Sequence, residues 1–168
     1  EELVLALARD TSQRKAAEEE MDRLRFLLKN IIDSMPSLIV AVNTDGIVTQ
    51  WNREVERMTG VSAQEAQGRA VADVFPALEA QLENVRTAVR NRETLALTRV
   101  PRRLKSENRY EDITVYPLIA NGVEGAVIRI DDVTDRVRLQ EMMIQSEKML
   151  SVGGLAADGR GGEALLPG

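Results

Sequence analysis

Asp131, Asp132 and Asp135 form an acidic cluster in the last third of the chain. Converging carboxylates are what a hard divalent cation needs. Adjacent residues of a strand point to opposite faces, however, so this cluster reads as a solvated strand end rather than a metal site. Asp132 and Thr134 carry more information as a pair. Their short polar side chains stand where a strand hands over to a helix starting near Asp135, and such side chains bond nearby backbone and cap helices. Thr134 is the expected N-cap, and the two residues are the candidate hinge. Arg57, Arg99 and Arg102 are the polar side chains with the reach to orient a ligand, but they read first as surface charges.

Two zeros in the composition remove most other chemistry. The 168 residues include no Cys and no His. No disulfide framework, thiolate nucleophile, thiol-linked flavin or Cys-held iron–sulfur cluster can form. Imidazole bases, Ser-His-Asp triads, His-ligated zinc or haem and phosphohistidine are excluded likewise. Carboxylate-only metal sites and Lys- or Glu-based mechanisms stay open. A net charge of −5 argues against nucleic acid, which calls for clustered Lys and Arg. The longest apolar run, Leu3–Ala8, is six residues, far short of the ~20 that cross a bilayer.

Three zones position these residues. Over 11–35, Met21, Leu24, Leu28, Ile31 and Met35 recur at spacings of 3, 4, 3 and 4, a heptad seam that fades backwards through Ala17, Arg14 and Asp10. Glu18, Glu19, Glu20, Asp22, Arg23 and Arg25 make the solvated face, and Pro36 ends the helix. So long a stripe favours a parallel two-stranded coiled coil over a helix lying on its own domain.

Residues 36–134 are the globular zone. Alternating β-branched runs at Ser37–Val42 and Ile47–Trp51 flank Asn43-Thr44-Asp45-Gly46, a hairpin signal. Short helical pieces follow over Asn52–Val74, broken at Gly60 and Gly68, and Pro76 opens a helix over Ala77–Arg92. Glu93–Leu104, Tyr110–Ile119 and Gly122–Asp132 are strand candidates, the last two joined by a turn at Asn121-Gly122. The fold class is α+β, an antiparallel sheet with its helices carried on one crossover. The third zone, 135–157, is helical with Leu139, Met143 and Leu150 in heptad-compatible places. Gly and Pro crowd residues 158–168, which read as a disordered tail.

The middle zone resembles a PAS domain over about residues 30–134. The resemblance is carried by Asn43-Thr44-Asp45-Gly46-Ile47, by Gln50-Trp51-Asn52-Arg53, by Glu56 with Gly60, and by Asp132-Val133-Thr134, which is similar to the family's Asp-x-Thr hinge. It implies a five-stranded antiparallel sheet of order 2-1-5-4-3, with helices on one face enclosing a small-molecule cavity. The cavity candidates are Val40, Val42, Met58, Val71, Val74, Phe75, Leu78, Leu82, Leu97, Ile113, Val115 and Ile128, an aliphatic set that reads first as a plain core. A partial repeat at an offset of 122 lays Ala8–Arg14 on Ile130–Arg136, so residues 1–10 are expected to be the last strand of a preceding PAS domain; a backward extension of the helix is the alternative.

Gln145–Ala157 is similar to the opening of the dimerisation and phosphoacceptor domain of sensor histidine kinases. The family continues Gly-x-Ala-His-Glu, whereas here Gly161 stands at the phosphoacceptor position, which suggests a truncated or altered end. The resemblance implies a cytoplasmic relay module of a histidine kinase; the chain itself, with no His and no ATP-binding domain, is expected not to be an enzyme. It would form a parallel homodimer through Met21, Leu24, Leu28, Ile31, Met35, Leu139, Met143 and Leu150, and serve a kinase output domain and its response regulator without touching nucleic acid or membrane. No cofactor is specified beyond an unidentified small-molecule ligand. The alternative is a ligand-free PAS dimerisation module of another signalling protein, such as a cyclase or a transcription regulator.

Overall fold

The computed structural model describes residues 1–120 and 122–160. Its first element, α1, spans Glu2–Ser34 and buries none of its residues. The strand expected over residues 1–10 is not found, since Leu3–Ala8 is helical. Leu, Ala and Arg are strong helix formers, and a lone strand has no ladder to join, so local propensity decides.

Strand β1 (Leu38–Asn43) pairs antiparallel with β2 (Val48–Trp51) around the expected turn. Asn43 organises that turn: its Oδ1 accepts the N–H groups of Asp45 and Ile47. Gly46 takes φ +80°, and a Cβ there would come within 3.0 Å of the Leu82 side chain. Glycine is therefore needed twice over, for the backbone conformation and for the seat of Leu82.

The short helices α2 (Arg53–Thr59), α3 (Ala63–Ala66) and α4 (Val71–Val74) follow. Asn52 caps α2 and Gly60 ends it in the left-handed conformation. A reciprocal Ser62–Glu65 capping box starts α3. The single helix expected over 77–92 is instead a 3₁₀ segment, Pro76–Gln81, followed by α5 (Leu82–Asn91).

Strands β3 (Leu95–Leu104), β4 (Glu107–Ala120) and β5 (Val123–Asp132) complete a five-stranded sheet of order β2-β1-β5-β4-β3. The expected order is found. β1 lies against β5 in antiparallel register, Val40 opposite Ile128. Gly125 is buried where a Cβ would meet the Val42 carbonyl oxygen at 2.4 Å. β3 is an edge strand, which is why it tolerates Pro101. Gly122 has φ +77°, while Asn121, the other half of the expected turn, lies outside the described residues.

The final helix, α6, spans Thr134–Arg160. Its backbone continues through Gly153 and past residue 157, where the tail was expected to begin; residues 161–168, Gly161 included, lie outside the described residues. Two compact units divide the chain, Glu1–Ala96 with Ile113–Asp131, and Leu97–Asp112 with the chain from Asp132 onward. In the first unit Val40, Val42, Val55, Val71, Leu78, Val85, Val115 and Ile128 form the core, and Trp51 meets Phe75 edge to face with ring centroids 6.3 Å apart. In the second, Val133 and Val137 are buried.

Candidate functional site

Function in such a chain has to be sought where the long helices are fastened, because the polar side chains that are buried lie there. Among the described residues these are Asn52 and Thr134.

Asn52 organises the entry joint. Its Oδ1 accepts the N–H groups of Ile39 and Val55, at 3.1 and 3.3 Å. Its Nδ2 donates to the Ser37 carbonyl at 2.9 Å and to the Ile32 carbonyl in the last turn of α1 at 3.3 Å. Asp33 adds a second fastening by accepting the Arg53 N–H at 3.1 Å. One side chain thus satisfies groups on α1, the connecting segment, β1 and α2 together, and a fully buried amide with all these bonds made is rigid. Ser37 also donates its hydroxyl to Asp131, which binds Arg129 at 2.7 Å as well.

Asp132 and Thr134 organise the exit joint. Asp132 Oδ1 accepts both the Thr134 N–H, at 2.9 Å, and the Thr134 hydroxyl. The Thr134 hydroxyl in turn accepts the Tyr110 N–H at 3.0 Å, while the Tyr110 carbonyl takes the Val133 N–H. Arg109 closes the set with a 3.1 Å ion pair to Asp132. Thr134 is therefore the first residue of α6 rather than its N-cap. Asp132 supplies the capping oxygen, and the threonine hydroxyl is drawn to β4 because an unpaired Tyr110 N–H lies within its reach. Burial pushes the Asp132 carboxyl up, but the two Thr134 bonds and Arg109 outweigh it and hold it below its ordinary value.

A second fastening of α6 was not legible in the sequence. Arg99, within β3, adopts φ +54°, a left-handed conformation. Its N–H is accepted by Asp112 Oδ1 at 2.9 Å, its guanidinium reaches Gln140 at 2.7 Å, and Asp112 Oδ2 takes Arg136. The Arg99 N–H does most to lower the Asp112 carboxyl; burial opposes it, and Arg136 adds to the lowering. Only the positive φ would have exposed this cluster, and a β-branched neighbourhood gives no sign of it.

The acidic cluster does not gather. Asp131 and Asp132 serve different partners, and among the described residues no three acidic, His or Cys groups converge on one ion position. Of the cavity candidates, Val40, Val42, Val71, Val74, Phe75, Leu78, Ile113, Val115 and Ile128 are buried and Leu82 is half-buried. Met58 and Leu97 are instead 43% and 38% exposed, so these two do not belong to the buried set. Met58 follows the outer face of the short α2, and Leu97 sits on the edge strand. Arg57 pairs with Glu54 at 3.1 Å and Arg102 with Glu111 at 2.7 Å. The seam residues of α1 and α6 are all exposed, from 40% at Met35 to 75% at Leu150.

Comparison with known proteins gives a consistent picture. The family described as the PAS fold (PAS_4) matches residues 32–138. The PAS domain of BvgS from Bordetella pertussis is 24% identical, with a TM-score of 0.54 over 76% of this chain and 98% of that one. A PAS domain from Colwellia psychrerythraea is 20% identical, with a TM-score of 0.50 over 67% and 98%. The PAS domain of the histidine kinase ThkA is 26% identical, with a TM-score of 0.47 over 57% and 98%. No curated protein matches the chain.

Proposed function

The chain belongs to the PAS fold family, and we propose that it is a signal-relay module that self-associates through its long helices and passes a conformational bias from α1 to α6. The observation that carries this reading is the pair of joints. Asn52 and Asp33 hold the end of α1, and Asp132, Thr134 and Tyr110 hold the start of α6. Elements fixed by several hydrogen bonds at one joint turn with the strands that hold them. A plain strand-to-helix cap would need only the Asp132 bond to the first helical N–H, and the further bond to β4 is what the relay reading explains.

Exposed apolar side chains along α1 and α6 support self-association, since large unpartnered apolar patches mark interaction surfaces. The resemblance of Gln145–Ala157 to the phosphoacceptor domain of sensor kinases supports reading the module as part of a cytoplasmic two-component kinase with a response regulator downstream. No described helix is long and apolar enough to cross a membrane. The relay needs no catalytic group and no cofactor. Among the described residues the buried polar side chains, Asn52 and Thr134, are bonded to the fold itself.

A shift from 1:99 to 99:1 between two helix arrangements requires about 5.5 kcal/mol. The exit joint holds a few hydrogen bonds, each worth ~1 kcal/mol net. The module therefore biases its output helix rather than switching it fully. Native mass spectrometry of the full chain tests the reading. The expected species has twice the 18.6 kDa chain mass with no added molecule, and Leu28→Glu returns it to the single-chain mass. A wild-type chain that stays at the single mass at tens of micromolar contradicts self-association, and a retained small molecule contradicts the ligand-free relay.

A further inference from the structure

Sulfur in this chain is held by methionine alone. There is no Cys, and the six methionines are Met21, Met35, Met58, Met142, Met143 and Met149. Methionine ranks among the residues most often fully buried, yet all six are exposed, from 40% at Met35 to 74% at Met149. The core of the described residues is built instead from Val, Ile, Leu, Ala, Trp and Phe. Two of the six bracket the α1 seam: Met21 opens it, Leu24, Leu28 and Ile31 follow, and Met35 closes it directly after Ser34. Leucine there would supply the same apolar contact. What the thioether adds is a sulfur lone pair that a peroxide oxygen can take. A protein thiolate would compete for the oxidant, and here there is none.

We infer that Met21 and Met35 are a peroxide-modification site, and that their conversion to methionine sulfoxide in the separated chain keeps α1 from associating. The inference rests on the self-association proposed above and adds a chemical control over it. The sulfur lone pair attacks one oxygen of hydrogen peroxide, an S–O bond forms, and the O–O bond breaks. The second oxygen leaves as water after proton transfer. Sulfur gives up an electron pair and the peroxide takes it, so no further reactant is needed.

The sulfoxide is polar and chiral where the thioether was apolar and flexible. On a side chain that faces water this changes little. On one that must enter an apolar seam, the new oxygen loses its water without gaining a donor, and an unpaired buried polar group is costly. The seam neighbours of Met21 are Ala17 and Leu24, and that of Met35 is Ile31, none with a side-chain donor. Met143 differs, because Ser146 follows it three residues later with a hydroxyl to offer. Met58 stands on the outer face of α2, away from either seam. Association also covers the two α1 thioethers, so a paired chain resists the oxidant and a separated one is caught by it.

The test treats the full chain with hydrogen peroxide at one concentration where it associates and at another well below. Peptide mass spectrometry follows the sulfoxide at each methionine, and light scattering follows association before and after. Met21 and Met35 are expected to oxidise several-fold faster in the dilute sample, with Met58 oxidising equally in both. The oxidised chain is expected to show a dissociation constant raised about tenfold or more. Met21→Leu combined with Met35→Leu conserves volume, so its dissociation constant is expected to stay within about threefold of the untreated wild type, before peroxide and after it. A wild type that associates undiminished with both residues oxidised overturns the inference, as does a double variant that loses association as fully as the wild type. Equal oxidation rates of Met21 and Met35 at the two concentrations overturn the protection by pairing. A chain that does not associate before any peroxide is added contradicts the self-association reading itself, and this inference with it.

Discussion

Asn52 shows how much a single buried side chain can set. It makes four side-chain hydrogen bonds to backbone groups of Ile32, Ser37, Ile39 and Val55. Removing one partner from buried hydrogen bonds leaves the others unsatisfied at roughly 1–3 kcal/mol each. Asn52→Ala is therefore expected to lower the unfolding free energy by about 2–4 kcal/mol in urea titration, whereas Arg57→Ala, on an exposed ion pair, changes it by less than ~0.5 kcal/mol. At the exit, Asp132 gives a pH prediction whose sign follows from its lowered carboxyl. A carboxylate depressed in the folded state stabilises that state above its unfolded pKa, near 4, and that contribution fades as pH falls through the lower folded value. Amide exchange at Thr134 and Tyr110 should accelerate as pH drops below ~4, after correction for intrinsic rates. Thr134→Val should narrow that window, because two of the bonds that lower the carboxyl involve Thr134 and its hydroxyl bond is lost.

At the scale of elements, α6 is tied at Thr134 and again at Arg136, by Asp112 of β4, and at Gln140, by Arg99 of the edge strand. The second tie is solvent-exposed and so worth little to global stability. Asp112→Ala is expected to leave the urea midpoint nearly unchanged while amide exchange in the first two turns of α6 rises several-fold. Equal exchange in both proteins would show that the tie does not hold the helix. The elements also show what a sequence discloses. Asn43 and Gly46 announced the β1–β2 turn because positive φ and side-chain-to-backbone bonding are residue-specific. Met21 to Met35 announced the α1 seam because a heptad is periodic. Leu3–Ala8 misled because six apolar residues fit either period. Arg99 gave no notice of its left-handed backbone, and Asn52 looked like any polar residue after a strand, since its burial arises from four elements meeting.

For the molecule as a whole, the sheet order was legible through the resemblance that the turn and hinge residues carry, whereas the proposed relay would lie in contacts between distant residues. The central claim is that the association state of α1 is felt at the start of α6. Hydrogen exchange read by mass spectrometry on the full chain, wild type against Leu28→Glu at a concentration where the wild type is associated, tests it most directly. The account predicts that breaking the seam changes exchange both along α1 and, several-fold, at Tyr110 and Thr134–Val137, with the β1 and β5 amides unchanged. Loss of protection confined to α1, with Tyr110 and Thr134–Val137 exchanging as in the wild type, would contradict it.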